Sequence, residues 1–218
     1  IELERARIAM RVSNIQYAVT ADSLRTMNEY DVRILEKEEM REQEPLLYSI
    51  FQAGKAGRAV IYMHSHFCSL AAQNGQDIPP ILDDMAQIVG VYIRVCEVKD
   101  HRQVNKVLKR HCACLTAGQN PAQCGAIATG QSLDAAYTAA LVLEKASQVY
   151  MQAKYLGGAK PIGLAEAAAM HLGYRVKYSR MADAIHNRTA SDFDRQIPAE
   201  EMALRRQIVQ LGRELSEE

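Results

Sequence analysis

The stretch that decides the fold is AVIYMHSHFCSLAAQNGQDIPP, residues 59–80. Ala59, Val60 and Ile61 open it with small and β-branched residues, and the run AVIYMHSH is predicted as a buried strand. The small, weakly polar run FCSLAAQNG reads as a short helix stopped at Gly75. Within the strand reading, side chains repeat every two residues, so Tyr62, His64 and His66 are expected on one face, projecting into a common cleft. Three polar rings on one strand face point to a ligand or metal role. The bland alternative is a hydrogen-bonded core histidine.

Outward from this stretch, the chain alternates candidate strands and helices. Upstream, EPLLYSIFQAG reads as a helix closed by Gly54, and IQYAVTAD as a strand running into a turn. Residues 28–40 are charged and ambiguous. Residues 1–13 place Ile1, Ile8 and Val12 on one helical stripe, which predicts a short amphipathic helix interrupted by Arg5. Downstream, IPPILDDMAQIVG contains a helix with prolines near its start and Gly90 at its end. VYIRVCEV alternates as a strand, HRQVNKVLKR is helical, ACLTAG and GAIATG are strand-like, and GQNPAQCG between them is turn-rich.

The strongest helix is SLDAAYTAALVLEKASQVYMQAKYLGG, with Ser132 as its cap, Asp134 in its first turn and Gly157–Gly158 at its end. A further helix runs through LAEAAAMHLG. A last one starts at Pro198 with Leu204, Ile208, Leu211 and Leu215 on one stripe. That apolar stripe needs covering, and a homo-oligomer is expected to cover it. This mixture of elements is α/β or α+β.

Composition narrows the function. The 218 residues suit one substantial domain with appended helices. Lys+Arg and Asp+Glu both number 26, so the formal net charge is zero and nothing favours nucleic acid or an anionic membrane as partner. No apolar run approaches the roughly 20 residues of a membrane helix, and IELERARIAM lacks the apolar centre of a signal peptide. A chain opening on Ile1 is expected to have lost its original start. Five cysteines, an odd number with no secretory signal, point to reduced thiols in a cytoplasm. With no Trp and three Phe, the core must be aliphatic, filled out by Ala, Met and Tyr.

Two stretches carry a family resemblance. Residues 59–80 look like the segment in which class II aldolases hold two metal-binding histidines on a strand, as A-V-x-H-x-H followed by a small-residue helix, a Gly and I-P. Residues 124–158, CGAIATGQSLDAAYTAALVLEKASQVYMQAKYLGG, look like the segment that reads H-G, four residues, G-x-S-L-x-x-A, then a helix with L-E-x-A. With weaker similarity in TADSLRTMNEYDV and EPLLYSIF, the resemblance to the class II aldolase/adducin family spans about residues 15–158. It implies an α/β fold, a three-layer α/β/α sandwich around a mostly antiparallel sheet, over residues 1–160, with a helical extension over 161–218. It also implies a homo-oligomer, a tetramer, with sites between subunits. The family's enzymes are sugar-phosphate aldolases, an epimerase and a dehydratase that use a divalent metal, usually zinc, on three histidines. The adducin branch keeps the fold for a structural role.

Such chemistry needs an ion with open positions to stabilise an enediolate and a carboxylate to move the proton. Placed without gaps, the resemblance puts the first ligand on Tyr62, the second on His64, the third on Cys124 and the carboxylate on Gln43, flanked by Glu42 and Glu44. The phosphate-binding turn falls on Asp22-Ser23, where an aspartate repels phosphate. A slip of two residues instead restores H-x-H as His64-Ser65-His66 with Glu44 upstream. Both placements keep His64.

Two functions follow from the resemblance. One is a divergent metal-dependent lyase of aldolase type, acting on a small carbonyl or hydroxy compound with a divalent ion such as zinc. The other is a member without metal or catalysis that works by binding or assembly. The cluster His111-Cys112-Ala113-Cys114 lacks the second pair that a zinc loop needs. Cys68 is expected as core filler and Glu144 as a structural residue.

Overall fold

The computed structural model describes residues 6–11, 16–20, 32–54 and 58–186. The stripe from Leu204 to Leu215 and the Asp22-Ser23 turn lie outside the described residues. Among the described residues, seven strands form one sheet in the order β3-β2-β1-β4-β7-β6-β5. The strands are β1 Ala6–Arg11, β2 Gln16–Thr20, β3 Val32–Glu36, β4 Ala59–Met63, β5 Val95–Glu97, β6 Ala113–Ala117 and β7 Gly125–Gly130. All neighbours pair antiparallel except β5 with β6.

Helices cover both faces, which gives the expected three layers. The first face carries α3 His66–Gln73, α4 Asp83–Ile88 and α6 Leu133–Tyr155, whose Cys68, Met85 and Leu143 pack on Ile61, Met63 and Leu115. The second carries α1 Lys37–Gln43, α2 Pro45–Gln52 and α5 His101–Leu108, whose Met40, Ile50 and Val104 pack on Val60, Ile127 and Cys114. The alternation of β4 makes this division: Ile61 and Met63 face one way, Val60 and Tyr62 the other. Each fully buried side chain such as Ile61 or Ile127 contributes about 1.5–3 kcal/mol. A seventh helix, α7 Leu164–His186, packs on α4. No helix among the described residues is long and apolar enough to cross a membrane.

The expected helix over residues 1–13 is a strand where it is described. Residues 6–11 alternate Ala6, Ile8 and Met10 against Arg7, Ala9 and Arg11, and β1 sits between β2 and β4. Both edges of the strand are satisfied by sheet partners, which outweighs a weak helical stripe. The ambiguous residues 28–40 include β3 and most of α1.

Candidate functional site

The end of β4 organises the candidate site. The strand stops at Met63, paired with Ala126 of β7, and three residues later α3 begins. Ser65 takes the N-cap position with extended backbone, but its hydroxyl does not cap the helix. Ser65 instead donates to Glu144 Oε2 of α6 at 2.5 Å. Glu144 caps the helix in its place: the N–H groups of Phe67 and Cys68 donate to its two carboxylate oxygens at 3.3 and 3.1 Å. A carboxylate is favoured there by the first-turn amides and the helix dipole, which is how a charge 6% exposed is tolerated. Glu144 therefore has the structural place expected of it.

His66 is the first residue of α3, exposed, with its ring edge-on to Phe67 at 5.0 Å. It does not share a strand face with Tyr62 and His64, contrary to the period-two expectation. The cap at Glu144 turns the chain into a helix one residue too early.

Tyr62 and His64 do come together, their ring centroids 4.7 Å apart and tilted by 57°. His64 Nδ1 lies 2.9 Å from the backbone oxygen of Cys124. A carbonyl only accepts, so Nδ1 carries the proton and the neutral ring keeps its lone pair on Nε2. Next to it stands Gly125, where a Cβ would meet Met63 O at 2.4 Å and His64 Nδ1 at 2.9 Å. Only glycine lets β7 pass so close to the end of β4.

Cys124 contributes its carbonyl to His64, and its thiol goes elsewhere. The sulfur accepts from Gly118 N–H at 3.4 Å and reaches Asn120 O at 3.6 Å, inside the turn that precedes β7. Its side chain packs with the first-face core, whereas Tyr62 packs with the second-face core.

The carboxylate that turns inward beside the Tyr62–His64 pair is that of Glu44. Gln43 ends α1 with its side chain in solvent. Pro45 opens α2, and a residue before proline is pushed out of helical backbone, so the chain breaks at Glu44 and turns it inward. At 9% exposure Glu44 pairs with Arg7 Nη1 at 2.5 Å. Arg7 is the β1 residue opposite Tyr62. Burial pushes the Tyr62 phenol above its ordinary value of 10, and the nearby Thr116 hydroxyl and Arg7 guanidinium only partly oppose it. Thr116 Oγ1 is buried without a hydrogen-bond partner, so its closeness to Tyr62 is proximity and not a formed bond. Arg7 and Thr116 escaped the sequence reading. The alternation of residues 6–11 was the signal for Arg7.

A family-type ion needs three converging donors. Among the described residues no three His, Cys, Asp or Glu side chains gather into a set that could hold one. His64 offers one nitrogen, Tyr62 a protonated phenol, Cys124 a thiol engaged in its turn and Glu44 an oxygen already paired with Arg7. The residues present do not fit the three-donor ion. The His111–Cys114 cluster is no metal loop either: His111 Nδ1 and Cys112 Sγ bond the carbonyls of Val89 and Ile88, while Cys114 lies in the second-face core.

Comparison with known proteins gives a consistent family. The model of the class II aldolase and adducin N-terminal domain matches residues 2–151. No curated protein matches the chain. Among solved structures, an L-fuculose 1-phosphate aldolase superposes with a TM-score of 0.66 at 17% identity, covering 79% of this chain and 87% of that one. The L-fuculose 1-phosphate aldolase from Glaciozyma antarctica PI12 gives 0.61 at 16% identity, over 79% and 73% of the two chains. An aldolase II superfamily protein from Pseudomonas syringae gives 0.58 at 12%, over 84% and 82%. At these identities the likeness is one of fold.

Proposed function

Because the chain belongs to the class II aldolase and adducin family, we propose that it keeps the family's domain without the family's three-donor metal site, and acts by binding or assembly. One observation carries this reading: among the described residues His64 belongs to no group of three His, Cys, Asp or Glu side chains that could hold an ion. Several site positions depart together, with Tyr62, Gln43 and Cys124 standing where the resemblance expects the first ligand, the base and the third ligand. Exposed apolar side chains support the assembly role. Tyr155 and Leu156 end α6 at 91% and 83% exposure, and Leu164 and Leu172 stand out on α7. A homo-oligomer, a tetramer on the family pattern, would cover such surface. Five unpaired cysteines support a reducing, cytoplasmic setting.

The competing reading is a metal-dependent lyase acting on a small carbonyl or hydroxy compound. It draws on one feature: Glu44 lies on the same sheet face as Tyr62, where a proton-moving group is required. The deciding experiment is an assay on fuculose- and rhamnulose-type phosphates with added zinc, manganese or cobalt, together with metal analysis of the purified protein. Turnover on the order of 1 per second or faster, lost in His64→Ala, would overturn the binding reading. Absence of both retained metal and cleavage supports it.

A further inference from the structure

We propose that α7 is latched to the domain through two neighbouring histidines, His111 and His171, and is released as the pH falls through the mildly acidic range. The latch is built on the last turn of α4, whose final carbonyls have no partners within the helix. Three side chains take them up. His171 Nδ1, on α7, bonds Gln87 O at 2.9 Å; Cys112 Sγ bonds Ile88 O at 3.2 Å; and His111 Nδ1 bonds Val89 O at 3.0 Å. Both imidazoles donate from Nδ1, so in the neutral rings both lone pairs sit on Nε2. The ring centroids are 6.4 Å apart.

Gly90 makes the approach possible. A Cβ there would meet His111 Nδ1 at 2.8 Å and His171 Cε1 at 3.5 Å, and its φ of +116° belongs to glycine in any case. The docked helix leaves His171 Nε2 buried with no hydrogen-bond partner. A proton added there finds no acceptor while α7 stays in place.

The surroundings oppose positive charge. His111 is held below its usual value, first by burial, then by His171, Arg94 and Arg110; its bond to Val89 O pulls the other way without prevailing. Around the pair, α4 offers carbonyls and Gln87 in its last turn, and its acids Asp83 and Asp84 begin the helix, with Asp84 paired to Lys145. Arg94 is paired with Asp77. On α7 the charged neighbours are Glu166 in the first turn and Arg175 beyond His171. No carboxylate among the described residues bonds either ring. The C-terminal dipole of α4 favours a cation, but a helix of 6 residues supplies little of it.

The sign follows from linkage. His171 on the docked helix is one of the groups that lower the affinity of His111 for a proton, so docking is fully favoured above the free value near 6.5 and weakens as pH falls below it. A proton excluded completely from the docked state would lower the docking equilibrium by at most about tenfold between pH 7.5 and 5.5.

Hydrogen exchange of the full chain tests this, with rates corrected for the intrinsic pH dependence of exchange. Protection of the 164–176 amides should fall by up to about tenfold from pH 7.5 to 5.5, while the α6 amides hold theirs. His111→Asn keeps a donor for Val89 O but cannot titrate, and should reduce the fall. An equal fall in His111→Asn, a flat profile in the wild type, or parallel loss in α6 would each overturn the proposal. A ring titration of His111 by NMR in the wild-type protein covers the case in which the variant does not fold. A midpoint below 6.5 that rises in His171→Ala supports the latch, and a midpoint at or above 6.5 overturns it.

Discussion

His64 meets the backbone oxygen of Cys124, at 2.9 Å from Nδ1, while the cysteine's sulfur is bonded within the 118–124 turn. The two residues are thus neighbours without being joint donors to one ion. The wild-type protein is expected to retain no zinc through dialysis. Tyr62→His places a second imidazole beside His64 and should tighten zinc binding roughly tenfold, or about 1.4 kcal/mol. Adding Cys124→His should gain less, because residue 124 packs with the opposite face. Zinc titration of the three proteins decides this, and equal affinity in all of them contradicts the placement of Tyr62.

Glu144→Gln removes the carboxylate that caps α3 and leaves an amide nitrogen facing donors. A loss of about 2–3 kcal/mol in urea-unfolding free energy is expected. Ser65→Ala keeps two of the three bonds and should cost about 1 kcal/mol. If both variants match the wild type, Glu144 is not holding the helix end.

Gly125→Ala brings a Cβ against the Met63 carbonyl and the His64 ring. Met63 is fixed by the β4–β7 ladder and the His64 ring by its bond to the Cys124 carbonyl, so relief requires strand movement. The expected cost is about 2–4 kcal/mol, together with a shifted His64 ring resonance. Wild-type stability in this variant would mean that β7 runs further from β4 than described.

Tyr62 gives an alkaline signature. Its folded value is raised, chiefly by burial, so the neutral phenol contributes stability that is fully present below the free value of about 10. That contribution disappears as pH rises through the folded value. Unfolding midpoints at pH 9, 10 and 11 should fall more steeply in the wild type than in Tyr62→Phe. Identical slopes would place Tyr62 in solvent.

Much of the fold was legible because most element ends carry local chemistry. Gly54, Gly75 and Gly90 each sit at positive φ just past a helix, where the sequence reading put them. Ser132 caps α6 by accepting from Ala135 N–H at 3.1 Å, also as read. What escaped was non-local. A strand at residues 6–11 becomes evident only when β2 and β4 flank it, since its helical stripe and its alternation compete in six residues. His66 was read onto the strand because the switch to helix after Met63 is set by Glu144, far along the chain. The site followed the same rule. Tyr62 and His64, two residues apart on an extended run, were placed together correctly. The partner of Glu44 was not seen, because Arg7 lies on the strand that had been read as a helix.

The cap at Glu144 also bears on the order of folding. Ser65 and Glu144 are 79 residues apart, and α3 has only 8 residues, too few to persist alone in water. Its first turn has no other side-chain cap. Helix α3 can therefore form only once α6 has reached the sheet, which puts this non-local contact after the transition state for folding. Substitutions at Glu144 should accelerate unfolding and leave the folding rate nearly unchanged, so the residues that deliver His64 to its place are among the last to become native.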